Sequence, residues 1–189
     1  MSEILIKGHH WDIIIPGRVH IPAEDGGHLV IKPHTKVPES IFLPFNEASE
    51  LIVLQNIARE TLYAAFNTKA NGYIGMFNYQ ENGNWSAHKN HEDRHAHVHV
   101  YGRATEAKTQ SYGKALNFSR FEQDDKDNKF EGYPYSQRDI ESLEFGARMT
   151  LYKGYLFPFD GSFSQRSYAD MNRHLYDKIR AANPAPGPS

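Results

Sequence analysis

The stretch that most constrains this chain is "HAHVHVYG", residues 95–102. Imidazoles at His95, His97 and His99 alternate with Ala96, Val98 and Val100. A period of two marks a β-strand, whose side chains point to opposite faces in turn. The apolar members must face a core, so the three histidines share the other face. Side chains two apart along a strand stand roughly 7 Å from each other. The segment therefore predicts a sheet with one apolar face and three separate imidazoles lining the other.

Neighbouring segments supply the rest of such a sheet. "WDIIIP" is a β-branched run closed by Pro16, and "GGHLVIKP" is a second, opened by glycines and stopped by Pro33. Pro38 and Pro44 fence off a loop. Asn46 is placed to cap a helix, with Glu47 and Glu50 in its first turn. Leu51, Leu54, Ala58, Leu62 and Ala65 recur at spacings of three and four and make one apolar face. "GYIGMFNYQ" returns to strand composition and "ENGNW" is a turn. A helix set among sheet-forming segments predicts an α+β domain with a mainly antiparallel sheet and one long helix, over residues 1–104.

Beyond it, "FEQDDKDNKFEG" reads as a solvated loop. "SQRDIESLEFGARMTLYKG" predicts a helix capped by Ser136, with Ile140, Leu143, Ala147 and Leu151 on one face and Gly154 at its end. "SYADMNRHLYDKIRAA" predicts another, with Tyr168, Met171, Leu175 and Ile179 in line. Residues 105–182 are thus expected to be a helical extension packed on the first domain, and residues 183–189, "NPAPGPS", a disordered tail.

Bulk properties exclude several functions. The chain carries 21 Lys and Arg against 23 Asp and Glu, a formal net charge of -2. That balance does not suit a general binder of nucleic acid or membrane. Cysteine is absent, which removes disulfides and thiolate chemistry and fits a reducing compartment. "MSEILIKGHHWD" lacks the apolar core of a signal peptide, and no apolar run approaches the roughly 20 residues that span a bilayer. A cytoplasmic location is expected.

Three uses of the histidines compete. They could be a solvated strand face. They could ligate zinc or iron, completed by a group such as His91 or Glu92. They could also serve phosphate chemistry, in which a neutral imidazole attacks phosphorus through one nitrogen while a hydrogen bond holds the other. Flanking imidazoles would then bind phosphate oxygens or assist the leaving group.

The segment from His95 to Tyr101 resembles the His-apolar-His-apolar-His-apolar-apolar signature of the histidine triad superfamily of nucleotide hydrolases and transferases. "GGHLVIKPH" is similar to a second strand of that family, and the intervening helix and the strand ending "MFN" follow its order. The likeness spans roughly Trp11 to Arg103. It implies that His97 attacks the α-phosphorus and forms a nucleotidyl-histidine that water resolves. A backbone carbonyl, that of His95, would hold its other nitrogen. It implies that His99 contacts the α-phosphate and the leaving-group oxygen, that His95 buttresses the site, and that His28 supports the triad.

Asn78 would bind near the phosphates, with Asn84 in an alternative register. Lys32 and Arg103 suit a phosphate-bearing substrate. The resemblance implies hydrolysis of a phosphoanhydride or phosphoramidate attached to a nucleoside monophosphate, with a dinucleoside polyphosphate as leading substrate and diadenosine tetraphosphate hydrolases as a common branch. It implies a homodimer, no required cofactor, and Mg²⁺ only as companion of a polyphosphate. Activity should fall as pH drops through roughly 6.

One departure stands out. Many members carry a Gly-Gln pair and a hydroxyl residue before the triad, where this chain has Asn90, His91 and Glu92. Substitutes would come from His88, Lys89, His91 or Arg94. A nucleotidyltransferase, a metal-dependent enzyme using the cluster as ligands, and a nucleotide-binding module without turnover remain as alternatives.

Overall fold

The computed structural model of the chain describes residues 2–67, 72–81, 95–116 and 132–152. Strands β1 (Glu3–Lys7), β2 (Trp11–Ile15), β3 (His28–Pro33), β4 (Ile74–Glu81) and β5 (Val98–Ala104) form one sheet in the order β1-β2-β3-β5-β4. Each neighbouring pair is antiparallel. Helices α1 (Phe45–Phe66) and α2 (Gln137–Tyr152), with two short 3-10 turns at Ala23–Asp25 and Ser40–Phe42, complete the described elements. The α+β class follows as expected. Strand β1 was not anticipated from the sequence. It is a short edge strand whose Ile4 stays 47% exposed, so it shows little alternation.

One face of the sheet is the core face. Trp11, Ile13 and Ile15 of β2, Leu29 and Ile31 of β3, and Val98 and Val100 of β5 all lie in the hydrophobic core. Leu51, Leu54, Ala58 and Leu62 of α1 pack against them, as a helical period of three and four requires. The start of α1 differs from expectation. The helix begins at Phe45 behind Pro44, with no side-chain cap, so Asn46 lies inside the first turn, its amide 3.4 Å from His10 Nε2. Glu50 is not a solvated charge beside the helix dipole. It is buried, and its carboxylate accepts the main-chain N–H of His9 at 2.8 Å and that of His10 at 3.0 Å. Burial raises its pKa.

Helix α2 joins the same core. Ser136 and Asp139 cap it reciprocally: the Ser136 hydroxyl donates to the Asp139 carboxylate at 2.7 Å and accepts the Asp139 N–H at 3.2 Å. Leu143, Ala147 and Leu151 enter the core cluster, with Ile140 against its edge. Gly146 sets the helix spacing, since a Cβ there would stand 2.7 Å from the Thr61 carbonyl oxygen of α1. The core is therefore continuous across residue 104. Gly154, the second helix expected after α2 and the tail lie outside the described residues. Among the described residues, no helix is long and apolar enough to cross a membrane.

Candidate functional site

The opposite face of the sheet carries the histidines. In an antiparallel pair, residues directly opposite one another share a face. His28 lies opposite Tyr101 and Val30 opposite His99. On the other side of β5, Asn78 lies opposite Tyr101 and Gln80 opposite His99. Strand β5 begins only at Val98, so His95 and His97 precede it rather than belonging to its ladder. They keep the alternation nonetheless. Ala96 is fully buried, its N–H held by the Val37 carbonyl at 2.6 Å. The rings of His95 and His97 are 5.4 Å apart and those of His97 and His99 are 4.8 Å apart.

Hydrogen bonds place the proton on His97, His28 and His99. His97 Nδ1 lies 3.2 Å from the His95 carbonyl oxygen. A carbonyl only accepts, so Nδ1 carries the proton and Nε2 keeps its lone pair. Burial lowers the pKa of His97, an effect that its bond to the His95 carbonyl partly opposes and the charge of Lys32 adds to. The ring is therefore a neutral imidazole with an available nitrogen.

A second chain of bonds runs behind it. The main-chain N–H of His20 donates to His28 Nδ1 at 3.2 Å. On a neutral ring, the His28 proton must then sit on Nε2, which lies 2.8 Å from His99 Nδ1. His99 Nδ1 accepts, and the His99 proton is directed to Nε2. Burial, with smaller contributions from the neighbouring imidazoles His99, His20 and His97, holds the His28 pKa well below the ordinary value. Burial, then His97 and His20, lowers His99 to about 3. His20 falls to about 4 through burial and His97.

His20 is the residue that sequence reasoning missed. Its ring stacks on His28 at 4.6 Å and on His99 at 5.0 Å. Its Nδ1 is 2.8 Å from the Tyr101 hydroxyl. The signal was present: Val19 and Ile21 are both fully buried, so "VHI" repeats the apolar-His-apolar pattern of the triad. Tyr101 occupies an apolar position of the motif, which concealed its hydroxyl.

The end of β3 that bears His28 is completed from far away. The β2–β3 register, with Ile14 opposite Val30, would place Pro16 opposite His28. Proline has no N–H to give, and β2 stops at Ile15. The Tyr135 hydroxyl takes its place, accepting the His28 N–H at 2.6 Å and donating to the His28 carbonyl at 3.0 Å. Its ring rests against Phe66.

The expected substrate-binding residues divide. Lys32 is exposed on β3 and influences His97. Arg103 is corrected: it is fully buried, and its guanidinium donates to Asn78 Oδ1 at 3.2 Å and to the carbonyls of Ser111 and Lys114. It pins the loop after β5 to the sheet instead of reaching for phosphate. Asn78 lies on the histidine face as expected, but its carbonyl oxygen is committed to Arg103. Asn84, with His88, Lys89, His91, Glu92 and Arg94, lies outside the described residues.

His20, His28 and His99 also bring one ring nitrogen each within 4.8 Å of one another. Their bonding does not fit a metal. A neutral imidazole ligates through an unprotonated nitrogen and keeps its proton on the other. Metal at His28 Nε2 would force that proton onto Nδ1, where the His20 N–H already points.

No family model matches the chain, and no curated protein matches it in sequence. Solved structures do match. A hypothetical histidine triad nucleotide-binding protein from Sulfolobus tokodaii strain7 superposes with a TM-score of 0.52 at 12% identity, over 81% of this chain and 85% of that one. A Hit-like protein involved in cell-cycle regulation from Bartonella henselae gives 0.49 at 10% identity, over 79% and 87%. A zinc-bound histidine triad family protein from Mycobacterium smegmatis gives 0.45 at 15%, over 78% and 86%. The Sulfolobus likeness shows that this chain has the histidine triad fold, and that the fold extends well beyond the segment carrying the sequence signature.

Proposed function

We propose that the chain is a nucleotide-processing enzyme in which His97 Nε2 attacks the α-phosphorus of a nucleotide and forms a transient nucleotidyl-histidine. The observation that carries this is the bond from His97 Nδ1 to the His95 carbonyl, which leaves Nε2 as the reactive lone pair. As the N–P bond forms, the ring becomes cationic, and the carbonyl stabilises that charge through a stronger, charge-assisted bond. His99 donates from Nε2 to the phosphate or to the bridging oxygen. Lys32 adds positive charge beside the phosphates. The nucleotide-binding description of the Sulfolobus protein supports a nucleotide as ligand. A dinucleoside polyphosphate is the proposed substrate and water the final acceptor.

The covalent step needs no metal. Elemental analysis of the untagged protein tests this, because stoichiometric zinc or iron lost together with activity on chelation would overturn the covalent reading. The decisive experiment is turnover of a panel of nucleotides in ¹⁸O-water with products identified by mass. Label must enter the nucleoside monophosphate. On a phosphorus-chiral substrate, two in-line displacements give net retention, whereas a single attack by metal-activated water inverts. The acid limb of kcat/KM should lie below 6.5, the ordinary imidazole value, because burial depresses His97.

A further inference from the structure

The peptide unit between Val19 and His20 is held at both ends. Its carbonyl oxygen accepts the main-chain N–H of Tyr133 at 2.9 Å. Its N–H, which a planar trans peptide points the opposite way, donates to His28 Nδ1 at 3.2 Å. The Val19 N–H donates back to the Tyr133 carbonyl at 2.8 Å and closes an antiparallel bridge. Val19 and Ile21 are fully buried on either side of His20. The His20 ring is tied separately. Its Nδ1 lies 2.8 Å from the Tyr101 hydroxyl, and its plane stacks on the rings of His28, His99 and Tyr101 at 4.6, 5.0 and 5.7 Å. Burial raises the Tyr101 pKa, so that hydroxyl keeps its proton at neutral pH.

A neutral histidine whose Nδ1 faces a fixed amide has one tautomer open to it. An amide N–H only donates, so His28 must present a lone pair at Nδ1 and carry its proton on Nε2. That proton faces His99 Nδ1 at 2.8 Å and makes the same demand of His99. The selection is only as good as the aim of the first donor. If the Val19–His20 peptide turned, His28 could take up either tautomer, and His99 with it.

We infer that His20 and Tyr101 are positioning residues for His99. The Tyr101 hydroxyl anchors the His20 ring, and the anchored residue aims its own amide at His28 Nδ1. His28 passes the choice on, so that His99 presents a proton and not a lone pair from Nε2. The distinction matters because a phosphate oxygen is itself an acceptor. A His99 in the other tautomer would turn a lone pair toward it and repel where it should bind. An apolar side chain at position 101 would fill the space but could not hold the ring. The effect of the pair on rate rests on the nucleotidyl-histidine reading, in which the His99 proton meets the phosphate. Its effect on the tautomer stands apart from that reading.

The test compares the full chain with Tyr101→Phe, His20→Phe and the double variant. Each single change keeps an aromatic ring in the stack and breaks the same hydrogen bond. ¹⁵N NMR of histidine-labelled protein without substrate reads the tautomers directly. In the parent, His28 and His99 should each show a protonated Nε2 and an unprotonated Nδ1. In either variant the two His99 nitrogens should move toward a common shift as the tautomers mix, while the amide signals of α1 stay in place. The kcat for diadenosine tetraphosphate should fall about tenfold in each single variant, the low end of what outer hydrogen-bond partners of a working imidazole command. It should fall no further in the double variant, because one interaction is lost in all three. A His99 that keeps its parent tautomer in both single variants overturns the inference, as does a double variant whose loss is the product of the two single losses. Mixed tautomers with an unchanged kcat would support the positioning and take the His99 proton out of the mechanism. If no adenylyl adduct forms on His97 of the parent, the nucleotidyl reading fails, and the spectra alone then decide the inference.

Discussion

The two faces of strand β5 are both buried, by different means. Val98 and Val100 disappear under α1 into apolar packing. His99 and Tyr101, on the other face, disappear under other polar rings: the rings of His99 and Tyr101 lie 5.6 Å apart and nearly parallel at 2°, with His20 and His28 stacked beside them. On the first face, shape alone matters, and an error leaves a cavity. On the second, each ring must be neutral and must hold its proton on a particular nitrogen, so an error leaves a charge or an unmatched donor. Apolar packing fills one face and hydrogen-bonded neutral rings the other, within a single strand.

The sharpest way to break this division is His97→Ala. The half-buried ring holds up no part of the core, so the melting temperature should stay near that of the parent. Steady-state turnover should fall by several orders of magnitude, since the nucleophile itself is gone. Retention of more than a few per cent of activity would remove His97 from the mechanism. Trp11→Ala is the counterpart on the core face. Trp11 is fully buried and its indole N–H donates to the Glu47 carbonyl at 2.8 Å. Its loss should cost about 3–5 kcal/mol in denaturant titrations, and the molecules that stay folded should keep their kcat. An equal loss of kcat among folded molecules would mean that the two faces are not separate.

Acid separates the faces next. The pKa values of His20 and His99 fall from 6.5 in the unfolded chain to about 4 and about 3 in the fold. Between 6.5 and those values the unfolded chain binds more protons than the native one, so stability rises with pH in that window and is lost as pH falls through it. Unfolding free energy measured at pH 7 and pH 5 should therefore drop on acidification. The drop should be as steep in Trp11→Ala as in the parent and shallower in His28→Leu, which removes one of the buried imidazoles. A stability that does not change between these pH values would show that the rings are not held neutral.

The smallest expected effect is that of Tyr135→Phe. The ring keeps its place on Phe66, but the His28 N–H and carbonyl lose their shared partner, for about 1–3 kcal/mol. Hydrogen exchange should locate the loss at the His28 amide. If that amide is equally protected in the variant, Tyr135 is not its partner.

Much of the core face could be read from the sequence, because periodicity encodes it: two in "WDIII" and "HLVI", three and four along α1 and α2. The triad could be read for the same reason. Its surroundings could not. His20 lies outside any strand, and its alternation, the three residues "VHI", is too short to stand out. Tyr135 lies 107 positions from His28 and is marked by nothing local. Arg103 was read as suited to a phosphate-bearing substrate because nothing local marks its acceptors, the Asn78 side chain and the main-chain carbonyls of Ser111 and Lys114. Asn46 was misplaced as a cap because Pro44 already fixes the chain where the helix begins.

The proline that ends β2 also sets an order of assembly. A hairpin of neighbouring strands closes within a few residues of its own synthesis, and its partners are local. The strand that bears His28 cannot close that way, because the position beside it has no N–H and its substitute is a phenol more than a hundred residues downstream. Five strands and one helix can already be in place while one amide and one carbonyl of the histidine-bearing face still await a partner. The histidine-bearing face should thus be among the last parts of the molecule to become rigid, and it should do so only when the segment leading into α2 arrives.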